Sequence, residues 1–250
     1  MSTIDKAMAV LSAFTIDTPE LGVTEISRAL DLNKVVVHRL LRELEANGMI
    51  EQDPDSKRYR LGYEVLKLAT RKLSSANLLR TAIPHLDALR EETGESVHLS
   101  IKRGEAILRL YIVQTRHFLR YSADVGDESP IHCTAAGKIL LAYSNPDTWR
   151  ELIARSIARF GERVPTDIDA LCDELESLRS GKVAVDDEVF QSHLRAFACP
   201  VFDSHGRVTA AVSCGGISER VPRKRFPAMI AAIENSCATI SRELGLCKPD

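Results

Sequence analysis

The chain has 250 residues, 44% of them apolar and 27% charged, with a formal net charge of −2. That is ordinary for a folded globular protein and longer than one typical domain, and the near-neutral balance excludes polyanion binding by bulk charge. No run is long and apolar enough to span a bilayer, and Met1-Ser2-Thr3-Ile4-Asp5-Lys6 is no signal peptide, so the expected compartment is the cytoplasm.

Ile4, Ala7, Met8, Leu11 and Phe14 recur at helical spacing, with Ser2 or Thr3 as cap, and predict a first helix. After a polar loop from Thr15 to Leu21 come two short helical patterns, Gly22 to Leu30 and Lys34 to Asn47, separated by Asp31-Leu32-Asn33. That spacing is a helix-turn-helix. Thr24 is the expected N-cap of the first, with Ile26, Ala29 and Leu30 facing inward. In the second, Val37, Leu40, Leu41 and Leu44 form the inner stripe and Gly48 the left-handed stop. This leaves Lys34, Val35, His38, Arg39 and Arg42 outside, where a recognition helix would meet base edges and phosphates. Met49–Gln52 and Tyr59–Leu61 then flank a Pro/Asp/Ser turn, predicting a hairpin wing whose basic edge is Lys57, Arg58 and Arg60. Acids outnumber bases over residues 1–70, so it is the placement of the cations, not their number, that points to DNA.

Gly62 opens a helix expected from Tyr63 to Leu79, carrying Val65, Leu66, Leu68, Ala69 and Leu73. A second follows with Pro84 near its start, where a bend is expected, and Thr93-Gly94 at its end. Strand texture begins with the alternating Val97, Leu99 and Ile101, a turn at Lys102–Glu105, and Ile107 to Val113 running back. Leu119 to Ala123 reads as a further short strand, and Pro130 to Ala142 as a helix of small residues. Two helices carry Trp149, Leu152, Ile153 and Ile157, then Ile168, Leu171, Leu175 and Leu178, with Gly181 ending the latter. Val183–Asp186 is a predicted strand, and Arg195–Phe202 with Arg207–Cys214 a hairpin. Phe226, Ile230, Ile233, Cys237, Ile240 and Leu244 stripe a last helix. The reading is a multidomain α+β chain with an antiparallel sheet in its second part.

Leu32-Asn33-Lys34-Val35-Val36-Val37-His38-Arg39-Leu40-Leu41, Leu44-Glu45-Ala46-Asn47-Gly48 and Arg58-Tyr59-Arg60-Leu61-Gly62 resemble the DNA-binding domain of the isocitrate lyase regulator (IclR) family of bacterial transcription factors. The second half resembles that family's effector-binding domain through Leu89–Leu99, Pro130-Ile131-His132-Cys133-Thr134-Ala135-Ala136-Gly137-Lys138 and Cys199–Ser213. The resemblance implies a winged helix-turn-helix over residues 1–62, a linker helix over 63–80 and a GAF-like effector domain over 81–250. It implies an operator-binding regulator, a repressor or an activator, of a catabolic operon, working as a dimer or a pair of dimers without a cofactor. DNA contacts are expected from Arg28, Lys34, Val35, Val36, His38, Arg39, Arg42, Lys57 and Arg58. A small organic acid or aromatic effector is expected at Phe118, Tyr121, Ser129, Ala135, Ala136, Asp186, Leu194, Ala196, Ser213 and Gly215, with its carboxylate on the amides of Ala135 and Ala136. This chain departs from the family in carrying Asn33 for proline, Val35-Val36 for Ser-Thr, and His193 where a glycine is usual.

Two other readings stay open on the residues alone. His132-Cys133 with His98 and His193 can be drawn as a Cys-His nucleophile pair. His132, Cys133, His193 and Cys214 can be drawn as metal ligands, though at no recognisable spacing. The six cysteines otherwise read as small buried hydrophobes of a reducing compartment.

Overall fold

The computed structural model describes residues 2–75, 77–161, 167–181 and 183–246; the side chains of residues 73–75 and Cys247 lie outside what is described. The chain divides into two compact units, residues 1–76 and 77–250.

In the first unit, α1 (Thr3–Ser12) is capped by Ser2, whose hydroxyl accepts from Asp5 N while Asp5 returns a bond to Ser2 N. In α2 (Val23–Leu30), Gly22 rather than Thr24 holds the cap position, and the Glu25 carboxylate accepts from Gly22 N at 2.7 Å. The helix begins two residues earlier than a Thr24 cap would start it, because Glu25 supplies the acceptor. Asn33 caps α3 (Lys34–Ala46) by accepting from Val35 N, so the residue standing in for the family's proline has its own use. Val10, Phe14, Ile26, Val37, Leu40, Leu41, Ile50 and Tyr59 form the buried core of the unit. Ile4 and Met8 do not join it and are 75% and 56% exposed, and Ala29 is exposed as well.

Gly48, at φ +68, ends α3, and β1 (Ile50–Gln52) pairs antiparallel with β2 (Tyr59–Leu61). Leu21 bridges to Tyr59, adding a third short rung to the wing. A Cβ at Gly62 would collide with the Gly48 carbonyl, so the chain leaves the wing only by passing close to its own helix stop. α4 (Tyr63–Ser75) follows, with Leu66 and Leu68 largely exposed.

The second unit is a three-layer α+β fold. α5 (Asn77–Thr93) is one helix with Pro84 in its interior rather than near its start. The strands β3 (Ser96–Arg103), β4 (Ala106–Val113), β5 (Glu128–Pro130), β6 (Ala184–Asp187), β7 (Leu194–Phe202) and β8 (Val208–Ile217) form one antiparallel sheet in the order β5-β4-β3-β8-β7-β6. No strand forms over Leu119–Ala123: the edge of β4 is taken by β5, and Leu119 is 66% exposed. Residues Pro130 to Thr134, expected to begin a helix, complete β5 and a turn before α6 (Ala135–Ala142). α7 (Trp149–Phe160) and α8 (Ile168–Leu178) follow, and α9 (Phe226–Glu243) closes the described chain.

The period of two sorts side chains between the two faces of this sheet. Val97, Leu99, Phe197, Cys199, Val212 and Cys214 pack with α5 and α9 on one face. Ala184, Ala198 and Ala211, all small, meet the fully buried α6 on the other, with α8 behind it.

Candidate functional site

Two places carry chemistry. In the first unit, the exposed face of α3 presents Lys34, Val35, His38, Arg39 and Arg42. Val35 is 75% exposed, whereas Val36 is half-buried and packs on the core, so it is turned from the face where the sequence had placed it. Lys34, Arg39, Arg42, Arg28 and Lys57 form no salt bridge among the described residues, which leaves their charge facing solvent. Arg58 differs. Its guanidinium donates to Glu25 at 2.7 Å and to the Glu20 carbonyl at 2.9 Å. Glu25 is held ionised by the Gly22 amide and then by Arg58, its carboxyl lying below the usual range. Arg58 therefore pins the wing to the start of α2, and Arg60 is likewise paired with Glu51.

In the second unit a cavity, partly open to solvent, lies on the α6 face of the sheet. Of the ten residues expected there, Tyr121, Ala135, Ala136, Asp186, Leu194, Ala196, Ser213 and Gly215 line it. Phe118 and Ser129 do not. Phe118 stands 97% exposed on the loop after β4, and Ser129 is buried in β5, opposite Ile107. Gly137 is small for another reason: a Cβ there would run into the Ile131 carbonyl and the Thr134 hydroxyl, which caps α6 at Gly137 N.

The rim is built by the β6–β7 loop. Asp186 Oδ1 accepts from Val189 N at 2.9 Å and Phe190 N at 3.1 Å, folding the loop so that Phe190 meets Tyr121 edge to face at 6.2 Å. Glu188 and His193 both take the left-handed conformation, at φ +66 and +64, which accounts for a glycine being usual at the position of His193. Arg195 ties the loop down through Asp187 at 2.5 Å and Glu188 at 3.0 Å. Burial raises the Asp186 carboxyl above its ordinary range, against the two amides and the Lys138 charge that lower it. Lys138 itself is buried and bonded to Glu174 and the Val185 carbonyl.

The floor was not foreseen. Ser96, His98 and Ser100 of β3 alternate with the apolar Val97 and Leu99, and Arg109 stands opposite Ser100 on β4; all four line the cavity. The polar half of that alternation is the signal that could have found them. The imidazole of His98 is held down to about 3, first by burial and then by the Arg109 charge, and is neutral at physiological pH.

The cysteine and histidine alternatives find no geometry. His132 Nδ1 lies 2.8 Å from Ser156 Oγ, His193 is exposed, and burial pushes the Cys214 thiol up to about 12. Among the described residues no group of three or more His, Cys, Asp or Glu could hold a metal ion.

The IclR helix-turn-helix domain family matches residues 3–54, and the bacterial transcriptional regulator IclR C-terminal family matches residues 70–242. The chain is 32% identical to the DNA-binding transcriptional repressor YiaJ of Escherichia coli over 91% of this chain and 82% of that one. It is 31% identical to the glycerol operon regulatory protein of Streptomyces coelicolor over 98% and 97%. An IclR homologue from Microbacterium hydrocarbonoxydans, crystallised with 4-hydroxybenzoate, has the same fold at a TM-score of 0.85 and 23% identity, covering 97% of this chain and 99% of that one.

Proposed function

The chain belongs to the IclR family of bacterial transcriptional regulators, a DNA-binding regulator and not an enzyme, and from that premise we propose that it controls a catabolic operon in response to a small organic acid. DNA is read by α3. Val35 and His38 face base edges with Lys34, while Arg39, Arg42, Arg28 and Lys57 neutralise phosphates. The observation that carries this reading is a helix whose inner stripe packs on the core while its outer cations form no salt bridge among the described residues. Arg58 acts by holding the wing rather than by touching phosphate, since its guanidinium is already engaged.

The regulator works as a dimer. Ile4 and Met8 of α1 with Tyr63 and Leu66 of α4, all in the first unit and all more than half exposed, are apolar surface that a second copy would cover. No described helix is long and apolar enough to cross a membrane, and the protein acts where operator DNA is, in the cytoplasm. The effector occupies the cavity between α6 and the sheet, as support from the small residues Ala135, Ala136 and Ala196 at its wall suggests. A mobility-shift assay tests the reading. The full chain is expected to prefer its own upstream region to random DNA, and equal affinity for the two would sink it.

A further inference from the structure

On the outer face of α3 one side chain is out of character with its neighbours. Val35, His38, Arg39 and Arg42 stand at i, i+3, i+4 and i+7, so they share one stripe of the helix, and all four are exposed. Val35 is 75% exposed and, among the described residues, is the one large apolar side chain that α3 turns to solvent. Val36, Val37 and Leu40 belong to the core of the unit; Val35 does not. Its backbone amide is also committed, donating to Asn33 Oδ1 at 2.8 Å in the helix cap. What Val35 offers a partner is therefore its isopropyl group.

The fold gains little from that group. A β-branched residue forms helix less readily than the unbranched polar residues usual on an outer face, and exposed methyls contribute no burial. Its surroundings indicate what covers it. Lys34 precedes it, Arg39 and Arg42 follow along the stripe, and none of the three forms a salt bridge among the described residues. An apolar protein surface would have to desolvate these cations to reach Val35. The major groove of DNA meets both demands, with phosphates along its rims and base edges on its floor. The one apolar group on that floor in unmodified DNA is the C5 methyl of thymine. Val35 is the second residue of α3, in the N-terminal part that a recognition helix turns toward base edges. Branching at Cβ leaves one dominant rotamer in a helix, which fixes the two methyls in place before contact.

Resting on the reading of α3 as the DNA-recognition helix, we propose that Val35 is a specificity-determining residue that packs on the C5 methyl of one thymine in each half-site. The other bases lack that methyl, and a donor or acceptor brought against the isopropyl group would lose its water and gain no partner.

Binding-site selection by the full chain on unmodified random DNA supplies the operator for the test. Each thymine of that operator is then replaced singly by deoxyuridine, which keeps the base pair and removes only the methyl. At one thymine of each half-site the replacement should weaken binding by the parent protein about fourfold. Val35→Ala should reduce that ratio to about twofold or less and should melt with the parent, because the side chain is exposed. Arg42→Gln should weaken the thymine and deoxyuridine operators alike and leave the ratio as it is in the parent, which separates methyl readout from general affinity. The proposal is overturned if no thymine shows a methyl dependence in the parent, or if the ratio in Val35→Ala stays above about twofold. A chain that selects no sequence at all removes α3 as the reader and Val35 with it. A sequence selected without methyl dependence removes only the role of Val35.

Discussion

At the scale of single residues, His98 makes stability depend on pH. Its folded-state value of about 3 lies below the ordinary 6.5, so the unfolded chain takes up a proton first as pH falls. Stability is therefore fully present above pH 6.5 and is lost progressively as pH drops toward 3. By pH 4 the loss attributable to this group is roughly 3 kcal/mol. His98→Asn should abolish that component. Denaturant titrations of parent and variant at pH 7 and pH 4 check it, and parallel pH dependences would contradict the assignment. His193 offers a second case. A side chain at φ +64 is strained by roughly 1 kcal/mol relative to glycine, while the imidazole is exposed and its 3.6 Å approach to Glu219 is a surface contact. His193→Gly should leave stability unchanged or raise it by up to about 1 kcal/mol, since glycine's larger unfolded-state entropy offsets part of the gain. A clear loss on equilibrium unfolding would show that the ring contributes more than its exposure indicates.

At the scale of elements, α3 and the wing divide the work of DNA binding differently from what their basic residues suggest by spacing. Arg39→Gln and Arg42→Gln should each weaken operator and random DNA alike and lower the salt slope of log K by about one. Arg58→Gln should instead change that slope little and loosen the wing, seen as faster amide exchange over β1 and β2. If Arg58→Gln lowers the slope as much as Arg39→Gln does, its pairing with Glu25 gives way to phosphate. Val35→Thr should shift operator preference without a stability change, because Val35 is exposed. Val36→Thr should cost about 1 kcal/mol of stability, because it places a hydroxyl against the core. Reversal of these two effects in binding-site selection and melting would mean that Val36 is the reader.

At the scale of the whole molecule, a dimer reading two half-sites needs them about one helical turn apart, or a multiple of that. Effector binding in the second unit can act on DNA only if it favours one arrangement of the two reading helices over another. Spin labels on the exposed face of α3 in the proposed dimer should therefore report a change of separation on saturating effector. Unchanged distances with a tightly bound effector would exclude this mode of control.

What the sequence by itself determined is the local frame: a helix-turn-helix with its wing, the β3–β4 and β7–β8 hairpins, and the striped α9. These follow from period, from cap chemistry and from glycines such as Gly48, whose left-handed turn is a property of the residue itself. Eight of the ten residues expected at the effector site do line one cavity, and they were named through the family resemblance rather than through periodicity. Only the tertiary structure decided the rest. Alternating Ser96, His98 and Ser100 read equally well as the wet face of a half-buried strand, since a period of two says which residues share a face but not what covers it. Their burial depends on α6 and the β6–β7 loop arriving from far along the chain. Phe118 lies outside for the complementary reason: the segment after β4 has no strand to pair with once β5 takes that edge, and an aromatic side chain there has nothing to pack on. The engagement of Arg58 is likewise a contact between residues 33 positions apart, which no local pattern encodes.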